Sequence, residues 1–354
     1  MRSERAPRRM FRTVILYAGI DEAGYGPLLG PLCVGCSAFA VDAPADAPPP
    51  CLWRHLRAAV CRAGNDRRGR IAVEDSKKLK GAKDAAAHPL RHLERGVTAF
   101  AAAVARAGAP GGADASAFAT DAALLAALGA PIDPDDGPWH ADGLPLPVGN
   151  DAATLRIAAA MLRTALAKSG TRAAELRVEA IGPASLNAQA ERIGNKATIN
   201  FMAAMRHVDR VRTEAARAGM RAWIALDRQG GRTAYLDTLR TSFPDARLAV
   251  LEESDATARY LLAWDATRAL PAHEATVSFE LGGEERNLPI ALASMAAKFA
   301  RELHMRRLNA FFASHVPDLA PTAGYVQDGR RFLDAVGDAP ERLGIPRRSL
   351  VRSL

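Results

Sequence analysis

At 354 residues the chain is long enough for two or three domains, or for one domain with a large insertion. Apolar residues make up 49% and charged residues 24%, which excludes a wholly disordered chain. Lys plus Arg number 47 against 39 Asp plus Glu, a formal charge of +8 that suits a polyanionic partner, although the charge is mixed. No run of about 18 apolar residues occurs, so no membrane-spanning helix and no membrane partner are expected. The basic residues 1–12 lead into an apolar stretch, 14–20, that stops at Asp21 and Glu22. That is too short and too soon charged for a secretory signal, so a cytoplasmic location is expected. Cys33, Cys36, Cys51 and Cys61 then read as reduced thiols. Cys33 and Cys36 form a CxxC inside a strand-like run. Zinc stays open there, and buried thiols are the simpler reading.

The apolar run 14–20 predicts a buried strand, and 31–39 a second, separated by Pro27, Gly30 and Pro31. Residues 52–63 read as a helix. Residues 64–83 are charged, with one short apolar interruption at 71–73. An alanine-rich helical region spans 97–130, broken at 108–112. Residues 131–151, dense in Pro, Gly and Asp, read as a long loop. A helix over 154–169 and a strand over 176–181 follow. Apolar spacing at Ile199, Met202, Met205, Val208 and Val211 predicts a helix over 195–218. Residues 221–226 read as a strand ending at Asp227, and 233–241 as a helix. Strands are expected at 248–252 and 276–281, and a long helix at 291–314. The last forty residues read as basic and irregular. The alternation predicts a mixed α/β sheet with helices on both faces.

The sharpest local feature is Gly19-Ile20-Asp21-Glu22-Ala23-Gly24-Tyr25-Gly26-Pro27. Adjacent strand residues point to opposite faces, so both acids meet one site only if the backbone turns there. Gly24 and Gly26 make such a turn cheap. Clustered carboxylates repel one another, and a divalent cation removes that cost. A second acid at a strand end, Asp227, is followed by Arg228-Gln229-Gly230-Gly231-Arg232, a glycine-rich turn with cations for phosphate. Acids converging at strand ends are what two-metal phosphodiester hydrolysis requires. As a nucleotide fingerprint, Gly24-x-Gly26-x-x-x-Gly30 has the wrong spacing. No Ser/His/Asp or Cys/His arrangement with usable spacing occurs.

Residues 19–31 resemble the opening motif of the type 2 ribonucleases H, ribonuclease HII and its HIII relatives. Asp75-Ser76-Lys77-Lys78-Leu79 resembles that family's second signature. Asn195, Thr198, Ile199 and Met202 resemble the helix before its third acid, which Asp227 fits. Ala293-Ser294-Met295-Ala296-Ala297-Lys298 resembles its Ala-Ser-Ile-x-Ala-Lys helix, and Gly324-Tyr325 its C-terminal Gly-Tyr. The resemblance implies a ribonuclease H-like fold, a mixed five-stranded sheet flanked by helices. It implies a catalytic domain over 13–302 with an insertion at about 97–172, and a helical, basic extension over 303–354. It implies a four-carboxylate site holding Mg²⁺ or Mn²⁺, with two ions expected. The implied substrate is an RNA–DNA hybrid or duplex DNA containing a ribonucleotide. By residue matching, Asp21, Glu22 and Asp227 carry three acids. Counting back from Ser294 points to Glu284 as the fourth, with Glu285, Glu280 and Asp255 as rivals.

Gly24, Tyr25 and Gly26, Lys77 and Lys78, Arg228 and Tyr325 are the expected substrate contacts. Tyr25 departs from the family, which has Arg or Lys there, and Ala323 replaces its usual Lys. Asn195 reads as a helix cap. Arg330, Arg331, Arg342, Arg347, Arg348 and Arg352 read as a solvated tail, or as residues tracking a duplex backbone. The alternative function is a weak or inactive nucleic-acid-binding relative on the same fold. A nucleotide-binding module of the actin-like kind fits the Asp75-Ser-Lys-Lys signature poorly.

Overall fold

The computed structural model describes residues 12–44, 47–80, 87–107 and 118–353. The expected helix break at 108–112 lies outside these residues. Nine strands occur among them: β1 (Arg12–Ala23), β2 (Leu32–Pro44), β3 (Val60–Cys61), β4 (Ile71–Ala72), β5 (Arg172–Ile181), β6 (Arg221–Asp227), β7 (Arg247–Glu253), β8 (Thr257–Trp264) and β9 (His273–Glu280). Seven form one mixed sheet in the order β5-β2-β1-β6-β9-β8-β7, and β3 pairs with β4 separately. β1 runs antiparallel to β2 and parallel to β6, and β6 runs parallel to β9. The sheet has seven strands where the resemblance implied five; the strand expected at 248–252 is β7, and only β8 was not expected. The sequence reading lacked β8 because Ala258, Leu261, Leu262 and Ala263 are good helix formers; full-length pairing with β9 overrides that preference.

Period-2 alternation sends the two faces of β1 into two cores. Ile15 and Tyr17 face one cluster, completed by the helices Arg91–Ala107, Ala152–Ser169 and Leu288–Ala313. Leu16, Ala18 and Ile20 face the other, completed by the helix Lys196–Arg217. Gly19 lets the long helix approach: a Cβ there would lie 2.1 Å from the Ile290 nitrogen. The insertion therefore forms a layer of the main core, with Leu124, Leu125, Leu128, Leu155 and Leu162 buried in it.

Three expectations are corrected. Residues 52–63 hold only one helical turn, Leu52–His55, before β3, which is tied to β4 across the charged loop. The region before β6 contains a further helix, Pro183–Ile193. The C-terminal residues are ordered: the helix Val326–Val336 packs Phe332 and Val336 with Leu29, Met305, Phe312 and Leu350 in a third cluster. Residue 302, where a domain boundary was expected, lies inside the continuous helix Leu288–Ala313. No helix among the described residues is long and apolar enough to cross a membrane.

Candidate active site

Parallel register aligns the ends of β1, β6 and β9. Ile20 is opposite Leu226, and Asp227 is opposite Glu280. Asp21, Asp227 and Glu280 each follow an inward residue of the second core, so all three turn toward the helix Leu288–Ala313. The expected turn at 21–22 is absent, because β1 continues to Ala23, paired with Cys33. Asp21 and Glu22 therefore take opposite faces at the sheet end. Ser294 on the long helix favours the ionised form of Asp21, and the Asn200 side chain on the opposite helix favours that of Glu22. The two acids still act on each other through space.

Electrostatics join the four expected acids. Burial lifts the Asp21 carboxyl well above the usual carboxylate range, and Glu22, Glu284 and Asp227 raise it further. Burial also raises Glu22, opposed by the Asn200 bond, with Asp227 adding to the rise. Asp227 is raised by burial and held back by the Gly283 N–H, which donates to its Oδ1 at 2.9 Å. Glu284 sits in the turn Gly283–Arg286, its pKa pushed up to about 7, first by burial and then by Asp75 and Asp227. Each carboxylate thus resists ionisation in its neighbours' presence.

The rivals for the fourth position are otherwise engaged. Glu280 accepts from Asn287 Nδ2 at 2.8 Å and from the Ser278 hydroxyl at 3.1 Å. Glu285 is exposed and pairs with Lys78 Nζ at 2.7 Å. Asp255 is exposed, its carbonyl accepting from Arg228 Nη1 at 2.6 Å.

The expected substrate contacts divide. Lys77 is exposed and acts electrostatically on Glu22, Asp227 and Glu284. Lys78 is tied to Glu285 and Glu74. Arg228 is spent on the carbonyls of Arg232 and Asp255, bracing its own loop, so it is not a free phosphate clamp. Tyr25 is 38% exposed, with Lys196 Nζ 4.6 Å from its ring centre. Gly24 has φ +84°, while Gly26 has open space where a Cβ would sit. Tyr25, Glu22, Asn200, Gln229 and Arg232 line a cavity of about 380 Å³. Tyr325 is exposed beside Arg301. Asn195 caps its helix, accepting from the Ala197 N–H at 2.8 Å.

Sequence reasoning missed Asp75, Ser294 and Asn200 as site residues. Asp75 caps the turn Ser76–Leu79 and faces Glu284 and Asp227 as a fifth carboxylate. Ser294 lies 3.0 Å from Ser76, joining the Asp75 loop to the long helix. Asp75 and Ser294 both fall inside motifs quoted above, so that signal was present; Asn200 had none. Cys33, Cys36 and Cys61 are buried free thiols, and Cys51 is exposed.

The donor set is hard oxygen, without histidine or cysteine, and suits Mg²⁺ or Mn²⁺ chemically. Among the described residues no group of three or more His, Cys, Asp or Glu is gathered closely enough to enclose an ion. Mg²⁺ commonly takes one or two carboxylates and keeps several waters, which this spread of acids accommodates.

No family model matches the sequence, and no curated protein matches it. Several solved structures are similar in fold, three of them as follows. One is the complex of PCNA with ribonuclease HII from Archaeoglobus fulgidus, at 16% identity and TM-score 0.40, covering 96% of this chain and 94% of that one. Another is Bst ribonuclease HIII with Mn²⁺, at 13% identity and TM-score 0.39, covering 96% of this chain and 66% of that one. The third is ribonuclease H2 from Pyrococcus horikoshii OT3, at 14% identity and TM-score 0.40, covering 95% and 92%.

Proposed function

We propose that the chain is a divalent-metal-dependent endonuclease of the ribonuclease H kind, cutting RNA–DNA hybrids or duplex DNA at a ribonucleotide. The observation that carries this reading is the convergence of Asp21, Glu22, Asp227 and Glu284 at the sheet end, each buried enough to be raised above its ordinary range. Buried carboxylates without a cation are costly, and an enzyme keeps such an arrangement where cation binding repays it. Mg²⁺ or Mn²⁺ held by these acids would activate water and stabilise the leaving oxygen.

The chain's own groups supply the rest. The Gly283 N–H fixes the Asp227 carboxylate. Ser294 favours the charged form of Asp21, and Asn200 that of Glu22 from the other face. Of the three cations expected to contact substrate, Lys77 is the one left to meet a backbone phosphate, since Lys78 and Arg228 are engaged. The exposed Tyr25 and Tyr325 rings offer faces for a sugar or base. The test is cleavage of defined duplexes by wild-type and Asp21→Asn protein, set out at the end of the Discussion. Salt-sensitive binding without cutting would instead favour the non-catalytic relative.

A further inference from the structure

The loop between β1 and β2, residues 24–31, carries the Gly24-Tyr25-Gly26 element beside the acids, yet little in its own sequence holds it. It is held by the Gly324 carbonyl, which accepts from the Leu28 N–H at 2.8 Å and the Leu29 N–H at 3.0 Å, and by Val351 and Arg352 near the end of the chain. Arg352 donates from Nη1 to the Gly24 carbonyl at 2.5 Å, from Nε to Gly30 at 2.7 Å and from Nη1 to Pro27 at 3.3 Å. Its backbone N–H donates to Leu28 at 3.0 Å, and Val351 forms a bridge with Leu29. Asn187 anchors the tail, donating to the carbonyls of Arg348 at 3.0 Å and Val351 at 2.9 Å and accepting from the Ser353 N–H at 2.9 Å. From the other side Arg301 Nη2 donates to Leu29 at 3.2 Å and to Ala323 at 2.9 Å.

This arrangement is expensive. Arg301 and Arg352 are each 3% exposed, and neither has a carboxylate partner among the described residues. Arg352 Nη2 and Arg301 Nε have no hydrogen-bond partner. A well-packed apolar side chain would cost less in such a place. What an apolar side chain cannot do is gather three carbonyls of one loop. Lys196, the cation stacked on Tyr25, feels the Arg352 charge from the same side.

We infer that Arg352 is a positioning residue that sets the Gly24–Tyr25–Gly26 backbone for substrate discrimination, so that the chain's last residues form part of the specificity machinery. The inference rests on the proposed endonuclease reading. Loosening the clamp lets the loop shift while the acids, carried on β1, β6 and the Gly283 turn, stay in place. Misplacement of a substrate-positioning element costs on the order of tenfold to a hundredfold.

The test uses full-length Arg352→Ala, Arg352→Lys and Asn187→Ala proteins. Asn187→Ala loosens the tail without touching the guanidinium, which covers the case in which Arg352→Ala fails to fold. Hydrogen exchange of residues 24–31 is read by mass spectrometry. Alongside it, KM and kcat are compared on single-ribonucleotide duplex and on all-RNA/DNA hybrid. The expected result is faster exchange across residues 24–31, a KM rise of roughly tenfold on the preferred duplex, and a collapsed preference between the two, with partial rescue by lysine. Unchanged exchange in 24–31 would overturn the clamp. Faster exchange with the preference intact would overturn its role in discrimination. If wild-type protein cuts neither duplex, the endonuclease reading fails and the discrimination role falls with it, while exchange still decides whether Arg352 holds the loop.

Discussion

Asp21 and Asp227 lie on neighbouring parallel strands one residue beyond the Ile20–Leu226 pair, and both turn toward the helix Leu288–Ala313. Burial raises both carboxylates first; Glu22, Glu284 and Asp227 then add to the rise at Asp21 and Asp75 to that at Asp227, with Ser294 and the Gly283 N–H acting as partial compensation. The site is therefore strained electrostatically in the direction a cation relieves.

Asp21→Asn removes one of these charges while keeping the side chain's shape. In metal-free buffer at pH 8 the variant is expected to melt higher than wild type, by roughly 1–2 °C for each kcal/mol of repulsion removed. Mg²⁺ should stabilise wild type and leave the variant nearly unmoved. An ion at about 100 times its dissociation constant contributes roughly 2.7 kcal/mol. Thermal melts with and without Mg²⁺ check this; equal metal stabilisation of both proteins would contradict it.

Glu284 gives the pH dependence its sign. Its folded pKa is raised to about 7, so the folded state binds the proton more tightly than the unfolded chain does. That contribution is fully present below the ordinary glutamate range and is lost as pH rises through about 7. The melting temperature of Glu284→Gln, relative to wild type, should therefore climb between about pH 4.5 and pH 7 and then level off. Melts across that range, without divalent metal, read it out. A flat difference would show that neither burial nor Asp75 and Asp227 raise Glu284 on folding.

Lys77 and Lys78 are neighbours with different expected effects. Lys77→Ala should weaken binding to duplex and lower the slope of log K against log salt by about 0.9. Lys78→Ala should change it less, because Glu285 holds that ammonium at 2.7 Å. Fluorescence anisotropy titrations at several salt concentrations separate the two.

Gly24→Ala and Gly26→Ala make a second contrasting pair. Gly24 has φ +84°, and a Cβ there would lie 2.6 Å from the Pro31 carbonyl and 2.7 Å from Arg301 Cδ. Left-handed backbone alone costs a non-glycine residue roughly 1–2 kcal/mol. Gly24→Ala should lower the melting temperature and disturb the loop that Arg352 clamps. Gly26→Ala, with open space around the new Cβ, should fold normally.

Much of this was legible in the sequence because the strand ends are written locally. Residues 14–20 and 221–226 are apolar runs stopped by acids, and the structure extends them into β1 and β6. The relation between Asp21 and Glu22 was not legible. The sequence suggested a turn to unite them, whereas pairing with β2 through Ala23 keeps the pleat going and places them on opposite faces. Asn200 was invisible because a buried asparagine in a helix has no local mark. Arg352 was read as a solvated or duplex-tracking arginine because charge near a terminus ordinarily is exposed; long-range bonds to Gly24 and Gly30 decide otherwise. Arg228 was read as a clamp from its glycine-rich setting, yet the Arg232 and Asp255 carbonyls take its guanidinium.

The most direct test of the central claim is cleavage of three labelled duplexes with Mg²⁺ and with Mn²⁺: DNA with one ribonucleotide, an all-RNA/DNA hybrid, and plain DNA. Asp21→Asn protein is run beside the wild type. The account predicts cutting of at least one ribonucleotide-containing duplex, none of plain DNA, and a loss of more than about a hundredfold in the variant, the upper range for residues that merely support a metal ligand. Equal cutting by both proteins, or binding with no cutting under either metal, would contradict it.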